Sequence, residues 1–173
     1  MGFGRDAFES MKSILFVLLG AHLFCGSAFA QNGADRFRVA ETEAKAAAGK
    51  AEAQFEMGAR YQNGQGVERN FNEAAKWYRK AADQSDPRAQ FNLGICYYKG
   101  EGVPVDVVQA VNWFRKAAEQ NLKEAQFLLA NHYHRGEGVE KSAQEAVKWH
   151  RRAAEQGHAM SQLSLGSHYL DGD

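Results

Sequence analysis

Two prolines and two cysteines in 173 residues, with no surplus of either charge, already remove several classes of protein. Twenty-one basic side chains balance 21 acidic ones. There is thus no cationic excess to neutralise the phosphates of a nucleic acid or to seek an anionic membrane surface. So few cysteines exclude a disulfide-stapled scaffold. Scarce proline among many Ala, Gln, Glu and Lys leaves helix as the natural expectation. Long apolar runs are equally scarce near the start of the chain: Ile14 to Phe24 is uncharged, but shorter than the roughly 20 residues a membrane-spanning helix needs.

That short run has the setting of a secretory leader. Met11-Lys12-Ser13 supplies a basic start and Ala28-Phe29-Ala30 a small-x-small site ahead of Gln31. Residues 1–30 are therefore expected to be a Sec signal peptide cleaved after Ala30, with the mature chain periplasmic or secreted and not stably inserted in a membrane. Asp6 and Glu9 are foreign to such a leader, which favours Met11 over Met1 as the start of translation. His22-Leu23-Phe24 lacks the small residues of a lipoprotein site, so Cys25 is read as part of the discarded peptide. Cleavage removes two cations and two anions and leaves Cys96 as the lone thiol. Inside a predicted helix, Cys96 reads as a small buried hydrophobe.

Chemistry-bearing motifs are missing too. No nucleophile motif, phosphate-binding glycine loop or His-Glu-x-x-His zinc helix occurs. Gly64-Gln65-Gly66 could pass for a phosphate cradle, but it recurs at a fixed spacing and reads as a turn. His132, His134, His150, His158 and His168 crowd the last third, and His132 and His168 are equivalent positions that a stack would make neighbours. No cysteine or carboxylate pair completes the three or four ligands of a zinc site, so no metal and no cofactor are expected. His150 stands where Tyr78 and Phe114 stand, and is expected to pack as an aromatic.

What the chain does have is a repeat. Shifted by 36 residues, it superposes on itself without a gap: residues 51–86, 87–122 and 123–158 are three complete copies, and 159–173 begins a fourth. Thirteen positions are identical in all three, among them Ala53, Tyr61, Gly64, Gly66, Val67, Ala74, Trp77 and Ala81 with their equivalents. A period in this range marks a solenoid. Each copy reads as two helices. The first ends at Gly64, Gly100 or Gly136, where glycine accepts a left-handed cap. The second starts at Asn70, Asp106 or Ser142, with Glu73, Gln109 or Glu145 three residues on, a reciprocal capping box; it ends near Ser85, Asn121 and Gly157.

The column Gly58, Gly94, Ala130, Gly166 predicts close approach of two backbones, and Trp77, Trp113 and Trp149 the bulk between copies. The recurring Phe55, Phe91, Phe127 and Leu163 read as packing. Residues 31–50 are expected to form a capping helix, a degenerate second helix with Glu41 in the tryptophan column.

These residues resemble the Sel1-like repeat family, relatives of the tetratricopeptide repeat. The second copy carries the pattern in Ala89, Leu93, Gly94, Tyr97, Gly100, Gly102, Val103, Ala110, Trp113, Phe114, Ala117 and Ala118. The resemblance implies an all-α, right-handed solenoid of stacked helix-turn-helix repeats with a concave inner surface, acting as an adaptor between proteins rather than as an enzyme. One branch of the family is cysteine-rich and linked with β-lactams; its cysteine pairs are absent here. By analogy, the first helices line the groove, and there the columns that change from copy to copy are free to recognise a partner. Ile95, Tyr98, Lys99, Asn131, His134 and Arg135 are the candidate partner-binding residues, since aromatic and Arg side chains dominate binding hot spots. The partner would be another protein or a peptide segment. The competing expectation is an envelope enzyme acting on peptidoglycan or β-lactams.

Overall fold

The computed structural model describes residues 37–171, with side chains through Gly166. The signal peptide and cleavage site expected over 1–30 lie outside the described residues. The chain divides into two compact units between Glu41 and Thr42, and the repeats lie in the second. Among the described residues every regular element is a helix. A first helix covers residues 37–47 (α1). Seven of 13 residues each follow: α2 (Ala51–Asn63), α3 (Phe71–Asp83), α4 (Pro87–Lys99), α5 (Val107–Glu119), α6 (Lys123–Arg135), α7 (Ala143–Glu155) and α8 (Ala159–Asp171). From α2 onward each helix packs on the next. The result is the all-α solenoid of stacked hairpins that the period predicts.

Local chemistry sets the boundaries. Gly100 closes α4 in the left-handed conformation (φ 75°), its N–H donating to the Cys96 carbonyl, and Gly64 and Gly136 do the same for α2 and α6. The second helices open on side-chain caps: Asn70, Asp106 and Ser142 accept from the N–H of Glu73, Gln109 and Glu145 at 3.1, 2.9 and 3.2 Å. The reciprocal half of the expected capping box is not made. The N–H groups of Asn70, Asp106 and Ser142 donate instead to the carbonyls of Tyr61, Tyr97 and Tyr133, each at 2.9 Å. Those carbonyls lie in the last turn of the preceding helix, where partners inside the helix run out. Glu73 and Glu145 turn outward to Lys76 and Lys148.

Packing revises the glycine column. A Cβ on Gly58 would fall 2.6 Å from the Tyr78 ring, and one on Gly94 2.6 Å from the Phe114 ring. The vacancy admits an aromatic ring from the second helix of the same hairpin, and at Gly94 that helix's backbone comes close as well, the Ala110 carbonyl oxygen lying 3.2 Å from the added Cβ. Where that ring is the smaller His150, the column carries Ala130. Between copies, backbone meets backbone at the turn: a Cβ on Gly102 (φ 77°) would lie 2.0 Å from the Phe71 carbonyl oxygen, so this turn seats on the start of α3 in the previous copy.

Copies are joined by side chains of two recurring kinds. Gln54, Gln90 and Gln126 are buried, and each Nε2 donates to a carbonyl eight residues back, Ala46, Ala82 or Ala118, at 3.1–3.3 Å. Within its own copy, each Oε1 accepts from a glutamine 30 residues ahead, Gln84, Gln120 or Gln156, at 2.7–2.8 Å, which holds the linking amide in place. Arg79 donates to the Tyr97 hydroxyl and Arg115 to that of Tyr133 at 3.3 Å, one copy onward. Such bonds contribute only about 0.5–1.5 kcal/mol each, but a buried amide left without them costs more.

The apolar interior lies between copies. Trp113 (5% exposed) packs with Ala74, Tyr78 and Leu93, and Trp149 (6%) with Val111, Ala118 and Leu129, whereas Trp77 is half-buried under Lys80. Phe55, Phe91 and Phe127 lie against Tyr78, Phe114 and His150. Leu163 departs from that column and is exposed.

Candidate functional site

The first helices α4 and α6 stand side by side with the Phe114 ring of α5 behind them, and a cleft of about 320 Å³ opens between them. Ile95, Tyr98 and Lys99 line it from α4, Leu128, Asn131, His132 and Arg135 from α6, and Glu137 from the turn that follows. Five of the six candidate residues thus share one cavity. His134 does not line it. On α6 the cleft is met by 128, 131, 132 and 135, one helical face by their spacing. His134 is the equivalent of Tyr98, so in a repeating stack it belongs to the next interval along.

A difference between copies accounts for the opening. In the first hairpin the Tyr78 hydroxyl donates to Gln62 Oε1 at 2.6 Å, a polar closure across the first helix, and burial pushes that hydroxyl up to about 12. In the second, Phe114 has no hydroxyl and Tyr98 stands in the glutamine column. The floor is left apolar and Tyr98 stays exposed at 42%.

His132 forms the back wall. Its ring stacks on Phe114 at 5.7 Å and meets Tyr98 edge-on at 5.5 Å. Nδ1 lies 3.0 Å from the Glu137 carbonyl oxygen, so that nitrogen carries the proton and Nε2 is the acceptor. Burial pulls its pKa below the ordinary histidine value, against the upward pull of the Glu137 carbonyl and carboxylate, so the ring is neutral at pH 7. The side chain of His168, the residue equivalent to His132 one copy on, lies outside the described residues. Among those described, no group of three His, Cys, Asp or Glu could hold a metal ion. His150 packs as the sequence predicts, 2% exposed against Phe127. Cys96 is buried, and burial raises its thiol to about 11.

The rim is cationic but loosely held. Lys99 Nζ is 3.9 Å from Glu101 Oε1 and Arg135 Nη1 is 3.9 Å from Glu137 Oε2, beyond hydrogen-bond reach. Sequence reasoning missed Phe114, Leu128, His132 and Glu137. The Tyr78-to-Phe114 change and the spacing of Leu128 and His132 around Asn131 were the available signals.

Fold and cleft together define a helical-hairpin solenoid whose varied side chains gather between first helices. The Sel1 repeat profile matches residues 51–86, 87–122 and 123–158, and the chain belongs to the Sel1 repeat family. Proteins of this family bind other proteins. Among solved structures, the chain is similar to a protective antigen present in uropathogenic Escherichia coli strains that displays an SLR fold: 44% identity, TM-score 0.75, covering 78% of this chain and 29% of that one. It is similar also to a Sel1 repeat protein from Oxalobacter formigenes, at 43% identity and TM-score 0.70, covering 72% and 49%. Helicobacter pylori cysteine rich protein B matches at 25% identity and TM-score 0.52, covering 53% and 69%. The chain therefore spans less than a third of the Escherichia coli protein and about half of the Oxalobacter one. Among curated proteins, none matches the chain.

Proposed function

We propose that this chain is an exported, non-catalytic interaction module of the bacterial envelope or exterior, which holds a partner protein in the cleft between α4 and α6. One observation carries the reading. The positions identical in every copy are spent on caps, glutamine links and ring packing, while Ile95, Tyr98, Lys99, Asn131 and Arg135, which change from copy to copy, converge on one cavity. A tyrosine and an arginine beside an apolar floor are the side chains that concentrate binding energy. Export rests on the leader-like start of the sequence. No described helix is long and apolar enough to cross a membrane.

Crosslinking the exported protein in envelope extract, wild type against Tyr98→Ala plus Arg135→Glu, tests the cleft. Partners of the wild type are expected to be lost from the variant, and unchanged partners would remove the cleft from the account. The exported chain is expected to begin at Gln31 by N-terminal sequencing. Hydrolysis of peptidoglycan or a β-lactam by the purified protein, abolished by a point substitution, would favour the enzymatic reading instead.

A further inference from the structure

Resting on the reading of the cleft as a partner site, the geometry points to a specific occupant: a peptide segment with an aromatic or branched apolar side chain beside a carboxylate. The apolar part is set by the floor. Phe114, Ile95 and Leu128 offer no polar group, and the neutral His132 ring adds a flat face stacked on Phe114. At about 320 Å³ the cavity is at the bottom of the range of roughly 300–1,000 Å³ typical of small-molecule pockets, which suits an inserted side chain rather than the face of a helix.

The acidic part is set by the rim. Lys99 and Arg135 are equivalent residues one copy apart, each in the last turn of its helix, and both line this cavity. Glu137 is the lone acid among the lining residues, and Glu101 stands just outside them beside Lys99, so each cation has one carboxylate held at a distance rather than bonded. Neither cation has a hydrogen-bonded acid among the described residues, and the nearest carboxylates stand at 3.9 Å. An incoming carboxylate can take charge-assisted bonds from both, in the forked geometry that guanidinium groups favour. A basic segment would set like charges together over a low-dielectric floor, which disfavours it. The Tyr98 hydroxyl and the Asn131 amide are hydrogen-bonded to no other described side chain, and remain available to a peptide group. In the first copy the Lys99 column holds Asn63, so the paired cations do not extend to α2.

Selection of a random-peptide display library on the purified protein, counter-selected on Tyr98→Ala, tests this occupant. Peptides that distinguish the two proteins are expected to carry Asp or Glu next to an aromatic or branched apolar residue. Replacing that acid by its amide is expected to weaken binding about tenfold, the size of a lost charge-assisted bond. A Lys99→Glu plus Arg135→Glu variant, altered only at exposed positions, is expected to enrich Lys or Arg at the same place. Cleft-dependent peptides without an acid, or a charge-reversed variant that selects unchanged sequences, would overturn the acidic occupant and leave the cleft standing. A library in which no peptide distinguishes wild type from either variant would overturn both.

Discussion

Asp86 shows how much one side chain decides at a junction between copies. Its carboxylate accepts from the N–H of Arg88 and Ala89 at 2.9 and 3.1 Å, opening α4 just ahead of Pro87. Burial alone would raise its pKa, but the Arg88 guanidinium and these two N–H groups outweigh it and hold the carboxyl below its ordinary value. The unfolded chain, near the usual value of about 3.9, then binds the proton more readily than the folded one. Stability from this group is therefore complete above that value and is lost as pH falls through the folded-state pKa. Asp86→Ala is expected to cost about 1 kcal/mol at neutral pH, the usual loss for an N-cap. In urea titrations the gap between wild type and variant should narrow below about pH 4; a constant gap would mean that the carboxylate charge contributes nothing.

Between helices, the pairing of a small residue with a ring sets the spacing of each hairpin. Gly94→Ala drives a methyl toward Phe114 and to 3.2 Å from the Ala110 carbonyl, and overpacking of this kind costs about 1–3 kcal/mol. Phe114→Leu withdraws the ring, and the double variant is expected to be more stable than the sum of the single losses by at least about 0.5 kcal/mol. Equilibrium unfolding of the four proteins measures this, and strict additivity would refute the contact. The two boundaries inside each hairpin were legible because they are written in local chemistry, glycine after the first helix and a cap before the second, whereas α2 and α6 open on Lys50 and Leu122 without a side-chain cap. The role of Gly58 and Gly94 was not, since a vacancy does not name what fills it. Gln54 and Gln90 were also opaque, because glutamine is ordinarily a surface residue and its burial follows from carbonyls supplied by the neighbouring copy. The cleft was legible to the extent that varied columns flagged it. Phe114 was overlooked, and His134 was not told apart from the five residues that share this cavity, because sequence spacing gives a helix face without saying which neighbour it meets.

At the scale of the whole array, stability is a sum over copies and the seams between them. The hairpin of α4 and α5 has neighbours on both sides, while α8 packs chiefly on α7 among the described helices and exposes Met160 and Leu163. Hydrogen exchange is expected to be fastest in α8 and slowest in α4 and α5. Protection of α8 equal to that of α5 would mean that its open face is covered, by another copy or a partner. The glutamine links have a consequence for how such a chain can change length. Each runs to an alanine carbonyl and a glutamine amide that recur at the same register, so any copy presents the same plug and socket. Excising residues 87–122 would bring Gln126 to the carbonyl of Ala82 that Gln90 now uses, and duplicating them would create no unmatched joint. Length is thus quantised in whole copies, and a lineage can lengthen or shorten its binding face without inventing a new interior.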